Sequence, residues 1–231
     1  MPRCVEPEFL DALAPNDPRA IRSRKDLRRI NAWMGNPGII AGALGGIFNG
    51  GSPKTMADIG AGDGILMLRV ASKIAKQGDG RSVRLVDRQA IVSPQTLSAL
   101  ESIGWHAGVL QTDILDWLRQ PPGEQFDVII ANLFLHHFCD EKLSELLSGA
   151  AKRARAFVAV EPRRWNWALA FSRLVGLIGC SSVTRHDAVA SVRAGFAGHE
   201  LSRLWPSGDG WLLEERPANW YSHLFIAKRA S

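Results

Sequence analysis

The sequence predicts an α/β fold: a mostly parallel seven-stranded sheet with an antiparallel C-terminal strand, helices on both faces and further helices N-terminal to it. Three observations predict it. From Thr55 onward, short apolar runs alternate with segments of helical period. The first run ends in Asp58-Ile59-Gly60-Ala61-Gly62-Asp63-Gly64, a strand-to-helix turn with alternate glycines. Acidic or amide residues then follow the successive runs, at Asp87, Asp113, Asn132 and Glu161.

In chain order, residues 1–17 read as a mobile, Pro-containing lead. A helix is expected from Pro18 to about Gly35, with Leu27, Ile30 and Met34 on one face. Asn36-Pro37 reads as N-cap and first position of a second helix carrying Ile40, Leu44, Ile47 and Phe48. Its glycines, Gly38, Gly42, Gly45 and Gly46, weaken a regular helix and allow close packing or a movable cover. Residues 1–54 are thus an N-terminal helical cover on residues 55–231, with an insert at about 163–198, in one compact domain overall.

Within the sheet domain, Thr55–Ile59 is strand-like and Ile65–Lys76 helical. Arg81–Val86 is a strand, followed by a helix near Pro94–Ile103 and a strand near Ala107–Gln111. Phe126–Ala131 is a short buried strand, Leu143–Arg155 a helix and Ala156–Val160 a strand. Leu201–Trp205 and Ser222–Lys228 are expected to pair as antiparallel edge strands.

Composition narrows the setting. A formal charge of +5 and a pI near 9.4 allow nucleic acid, an anionic membrane surface or an acidic small molecule as partner. Much of the excess lies in Arg19, Arg22, Arg24, Lys25, Arg28 and Arg29, with Arg22, Lys25 and Arg29 on one helical face. That face is either simply solvated or a phosphate-binding patch. Cys4, Cys139 and Cys180 show no paired spacing, which suits a reducing cytoplasm without disulfides or a zinc site. No signal-peptide region and no apolar run of spanning length is present in the sequence.

Ligands of open α/β sheets bind beyond the carboxyl ends of the strands. A dinucleotide fingerprint would place its third glycine where this chain has Ile65. The pattern here is D-x-G-x-G-x-G, and Asp87 and Asp113 follow at the next two strand ends. An acid after the second strand can accept from both ribose hydroxyls, and one after the third from an adenine amino group. Each also has a plain structural reading, as a turn cap or an N-cap.

On these residues, positions from about 55 to 161, nearly half the chain, resemble the Rossmann-like core of the class I S-adenosylmethionine (SAM) dependent methyltransferases. The resemblance implies SAM as cofactor, held by Asp58, Gly60, Ala61, Gly62, Gly64, Asp87, Arg88, Asp113, Ile114, Asn132 and Leu133. Asn132-Leu133-Phe134-Leu135 lacks the prolines of amino-group methyltransferases acting on bases or glutamine. Leu135-His136-His137 resembles small-molecule enzymes of the ubiquinone and polyketide-tailoring kind, so nucleic acid is disfavoured as substrate. Leu27–Gly35 and Thr184–Phe196 resemble bacterial methyltransferases associated with polyketide products.

An imidazole titrates near the pH needed to deprotonate a phenol or enol. His136 or His137 is the first candidate base and His186, beside Asp187, the second; His106, His199 and His223 read as surface or strand residues. A catechol-type metal site would need a carboxylate cluster after the fourth strand, where only Asp140 and Glu141 stand, so no metal is expected. Glu161, Arg164, Trp165 and Trp167, with Trp33 and the apolar segment Ala168–Ile178 (Phe171, Leu174, Val175, Ile178), suit a small hydrophobic or aromatic substrate. Peripheral membrane contact is a further option for this surface. Methylation on oxygen is favoured over carbon, with an RNA-directed enzyme as rival; the sequence leaves the oligomeric state open.

Overall fold

The structure, a computed structural model, describes residues 1–14, 16–74, 80–121, 123–174, 179–208 and 210–230. Its centre is a seven-stranded sheet in the order β3-β2-β1-β4-β5-β7-β6. The strands are β1 (Thr55–Ile59), β2 (Arg81–Asp87), β3 (Trp105–Gln111), β4 (Phe126–Asn132), β5 (Ala154–Pro162), β6 (Trp211–Pro217) and β7 (Ser222–Arg229). β1 to β5 are parallel, whereas β7 runs antiparallel to β5 and β6 antiparallel to β7.

Side chains alternate between two apolar layers because successive strand residues point to opposite faces. Met56, Val128, Ile130, Val158 and Val160 face one layer, and Ala57, Ile59, Ile129, Ala131 and Phe157 the other. Both faces are covered, which explains why these strands read as continuous apolar runs. Helix α3 (Asn36–Ile47) supplies Ile40, Leu44 and Ile47 to the first layer, with Met67 and Val70 of α4 (Ile65–Ile74) and Leu100 of α5 (Pro94–Ser102). The second is closed by α6 (Ile114–Arg119), α7 (Asp140–Arg153) and α10 (Glu200–Leu204).

The remaining elements lie over the carboxyl ends of the strands or beside them: α1 (Phe9–Ala12), α2 (Pro18–Met34), α8 (Asn166–Leu174) and α9 (Ser182–Ala194). α2 is N-capped by Asp17, which accepts from Arg19 N–H, and Pro18 opens it. Its buried residues are Ala20, Ser23 and Asp26. Leu27, Ile30 and Met34 are only half-buried. Asp26 accepts from Ser181 N–H and from the Thr184 hydroxyl, tying α2 to the start of α9.

The structure departs from the sequence reading at several elements. The lead is anchored rather than mobile. Cys4 N–H donates to Arg193 O, and the Arg3 guanidinium donates to Ala194 O, Phe138 O and Asp140. Gly35, left-handed at φ +74°, ends α2 and precedes α3, so Asn36 lies inside α3 instead of capping it. Despite its glycines α3 is a continuous helix, because burial of Ile40, Leu44 and Ile47 outweighs weak local propensity.

Leu201–Trp205 is not a strand. Residues Glu200–Leu204 form α10, and β7 pairs instead with Trp211–Pro217. Leu201, Leu204 and Trp205 fit the helical i, i+3, i+4 spacing as well as a short strand. The carboxylate of Glu215 decides between them by accepting from Leu201 and Ser202 N–H at the helix start. Arg155 belongs to β5, not to the preceding helix. Lys76, Val175 and Ile178 lie outside the described residues. No described helix is long and apolar enough to cross a membrane.

Candidate active site

The sheet order reverses between β1 and β4, and loops after those two strands meet at the resulting crevice. After β1, Gly60, Gly62 and Gly64 are left-handed at φ +70°, +55° and +74°. Gly60 and Ala61 N–H both donate to Val86 O, which ties the turn to β2. Gly62 N–H donates to Asp87 Oδ2 at 2.8 Å, while Gln89 N–H donates to Oδ1 at 2.8 Å. A Cβ on Gly60 would lie 2.3 Å from the Phe134 ring, so the two loops touch where only glycine fits.

Asp58 stands on β1 beside this turn, 1% exposed. Its Oδ2 has no hydrogen-bond partner. Burial, with the charge of Asp87 adding to it, pushes its pKa up to about 8. A buried carboxyl with an unpartnered oxygen is the kind of acceptor that a donor-bearing or cationic ligand satisfies.

After β4 the chain turns sharply. Leu133 is left-handed at φ +49° although it is not glycine, and its N–H donates to Val160 O. Asn132 Oδ1 accepts from Asn36 Nδ2, and Asn36 Oδ1 accepts from the Ser222 hydroxyl; these buried bonds dock α3 on the strand ends. Glu161 at the end of β5 is completely buried. Its Oε1 accepts from Phe134 and Leu135 N–H, at 3.0 and 2.9 Å.

Glu161 Oε2 lies 2.7 Å from His136 Nδ1, and Glu8 Oε1 lies 3.4 Å from His136 Nε2. Burial alone would pull the His136 pKa down. The hydrogen bonds and charges of Glu161 and Glu8 outweigh burial and push it up to about 9. Glu8 is buried too, which favours its neutral form, but His136, the nearby His137 and the Ser191 hydroxyl together hold its pKa below the usual value. His136 is therefore a cation clamped between two carboxylates and is a poor proton acceptor at neutral pH.

His137 is half-buried, its ring 4.3 Å from that of His136 and 6.4 Å from Phe134. His186 is elsewhere: its ring stacks on Phe9 at 3.8 Å and its Nδ1 lies 3.0 Å from Asp187. Asp187 in turn accepts from Phe9 and Leu10 N–H, so this pair holds the lead in place. Among the described residues, Glu8, His136 and His137 form the one group able to offer three donors to a metal, within 4.8 Å of one another. Both His136 nitrogens already serve carboxylates, whose charge the imidazolium balances.

Asp113 caps α6 by accepting from Leu115 N–H, as its plain reading has it. Ile114 is 4% exposed in the core layer beneath. Arg88 is exposed, and its carbonyl accepts from Gln111. Arg164 is committed to structure through Gly195 O and Glu200. Trp165 Nε1 donates to Trp220 O, the Arg163 guanidinium covers the Trp165 ring, and Trp33 packs on Tyr221. Trp167 is exposed on the first turn of α8. A cleft of about 390 Å³ lies among Arg163, Trp165, Pro217, Ala218, Asn219 and Trp220.

The parts that Glu8, Asn36 and Phe134 play at the site were not read from the sequence, which offered Asn36 only as a helix cap. Phe134 lies within a motif that the sequence does display. Glu8 and Asn36 carry no local signal, since their partners are distant in the chain.

This sheet order, with the loops after β1 and β4 meeting at the switch and a terminal antiparallel pair, is the class I methyltransferase fold. The chain is similar to an O-methyltransferase family protein from Burkholderia thailandensis, at 17% identity and TM-score 0.57, over 94% of this chain and 61% of that one. It is similar to the plantazolicin methyltransferase BpumL in complex with SAH (S-adenosylhomocysteine), at 14% identity and TM-score 0.64, over 93% of this chain and 91% of that one. Human N-acetylserotonin methyltransferase, in complex with SAM, matches at 13% identity and TM-score 0.54, over 96% of this chain and 61% of that one. The chain thus spans about three-fifths of the length of the first and third. No protein-family model and no curated protein matches it. At these identities the likeness establishes the fold.

Two outcomes follow from the geometry. Gly60→Ala is expected to cost about 1–3 kcal/mol from its backbone conformation alone, with a further loss from the Phe134 clash. Adding Phe134→Ala should remove the second part, giving a coupling above about 0.5 kcal/mol in a denaturant-unfolding cycle; additive effects would contradict the contact. The second outcome concerns pH. Because the folded-state pKa of His136 is raised from 6.5 to about 9, its stabilisation is complete below about 6.5 and is lost as pH rises through about 9. The stability gap between parent and His136→Gln should shrink across that window, by roughly 3 kcal/mol at most. Asp58 titrates alike in both proteins and cancels; a pH-independent gap would refute the clamped cation.

Proposed function

We propose that this chain is a SAM-dependent methyltransferase that methylates a small hydrophobic or aromatic acceptor, on a hydroxyl oxygen in preference to carbon. The observation that carries the reading is the glycine turn held by Asp87 at the β1/β4 switch, beside a buried Asp58 with an unpartnered oxygen. The residues present fit the cofactor. SAM, when bound, supplies an electrophilic methyl group on a positively charged sulfur.

The chain's own residues provide binding, orientation and a proton route. Asp58, Asp87 and Asp113 place acids at three strand ends, and a cationic ligand would favour the ionised form of Asp58, whose pKa burial pushes up to about 8. A carboxylate has about four lone-pair sites. Asp87 uses two of its sites on backbone N–H groups, which leaves capacity for ribose hydroxyls. Asp113 spends one oxygen on its cap and retains the other for an adenine amino group. The bare backbone of Gly60 to Gly64 admits the ligand closely, with Phe134 walling the crevice.

Both His136 nitrogens face carboxylates, so the proton of the acceptor hydroxyl is assigned to His137, whose ring nitrogen lies within 4.8 Å of a Glu8 oxygen. Glu161 positions both histidines by fixing the loop that carries them. The aromatic cleft at Trp165 and Trp220 suits a planar or greasy acceptor. The O-methyltransferase family protein among the structural neighbours supports oxygen as the target.

Calorimetry should show SAH binding to the purified chain, weakened roughly 10- to 100-fold by Asp87→Ala, since a charged acceptor is lost. Absence of binding by the parent, or an unchanged affinity in the variant, would sink the assignment. Transfer of labelled methyl from SAM into a cell extract identifies the acceptor. With that acceptor, His137→Gln should lower turnover about 100-fold or more while SAH affinity is kept. Turnover equal to the parent's would remove His137 as base.

A further inference from the structure

Helix α2 carries six basic residues and one acid, Asp26. That acid is buried and spent on Ser181 and Thr184; Arg19 and Arg28 pair with Asp17 and Asp63, outside the helix, and neither belongs to the stripe of Arg22, Lys25 and Arg29. A simply solvated helix face normally mixes the two signs. Arg22, Lys25 and Arg29 are exposed and, at helical spacing, form a stripe that continues into Trp33 one turn later. Trp33 is 69% exposed, and Ile21, beside Arg22, is 52% exposed.

The stripe does not end with the helix. The Trp33 ring packs on Tyr221 at 4.7 Å, and Asn219 Nδ2 donates to Met34 O, binding the end of α2 to the β6–β7 turn. Trp220, 62% exposed, follows on that turn and packs on Trp165, with the Arg163 guanidinium over the Trp165 ring. A basic stripe thus runs into a cluster of half-exposed and exposed indoles at the rim of the aromatic cleft.

We propose that this continuous face, from Arg22 through Trp33 to Trp220, docks the protein on an anionic membrane surface. Amphipathic indole rings settle at the headgroup level of a bilayer, and lysine and arginine gain attraction from anionic lipids. Charge complementarity selects an anionic surface, and the exposed Ile21, Trp33 and Trp220 select one with an apolar layer beneath the charge. RNA would share the first requirement but gains little from Ile21. Docking there would set the aromatic cleft at the lipid boundary, where hydrophobic molecules partition.

The test is sedimentation of the full chain with vesicles of phosphatidylcholine, with and without about a third phosphatidylglycerol, at low and high salt. Binding is expected to the anionic vesicles at low salt, with release at high salt. Arg22→Glu, Lys25→Glu and Arg29→Glu together should weaken it roughly 100-fold. Trp33→Ser should weaken it several-fold with the salt dependence retained. Circular dichroism establishes that each variant is folded. Failure of the parent to bind anionic vesicles overturns the proposal, as does equal binding by the charge variant. Binding to tRNA without binding to vesicles overturns it in favour of the nucleic-acid alternative. Vesicle binding does not depend on SAM, so a chain that docks but binds no SAH leaves this inference standing and removes the methyltransferase reading.

Discussion

Glu161 lies completely buried at the end of β5, and its carboxylate gathers the N–H groups of Phe134 and Leu135 together with the His136 ring. A buried carboxylate is tolerated only when paired and hydrogen-bonded, and removing one partner of such a pair costs about 3–5 kcal/mol. The need to satisfy this one group dictates the path of the chain after β4. That path places Phe134 against Gly60 and leaves Leu133 in a left-handed conformation. It also turns the far side of His136 toward Glu8, so the N-terminal segment completes the charge balance begun in the sheet.

The site is therefore built from opposed electrostatic demands. Burial raises the pKa of Asp58, and the charge of nearby Asp87 adds to the effect. On the other side of the crevice, Glu161 and Glu8 hold a histidine cationic. Pairs of groups driven apart in pKa by their surroundings are common where chemistry is done. Here one half of the crevice holds a buried carboxyl pushed toward its neutral form, and the other a buried histidine pushed toward its charged one.

Much of the architecture was legible before any coordinates. The alternation of strand and helix, the turn at Asp58 to Gly64 and the acids at strand ends are local patterns, and each falls where it was expected. The errors share a cause. Leu201–Trp205 resembled a strand because its helix start is satisfied by Glu215, which lies farther along the chain. The lead resembled a mobile tail because its anchors are Asp140, Asp187 and the backbone of α9. His136 resembled a base because neither carboxylate that clamps it is its neighbour in sequence.

The sequence by itself determined the class of sheet, the glycine turn and the chemistry available at the strand ends, since backbone conformation and hydrophobic period are written in adjacent residues. Only the tertiary structure decided which histidine is spent. Glu8 and His136 are separated by 128 positions, and Asn36 and Asn132 by 96. No propensity or spacing rule reaches across such distances, because the pKa of a buried group depends on what folding brings beside it. The same holds for the surface, where the basic stripe was visible in the sequence but its junction with the indoles of the β6–β7 turn was made by packing.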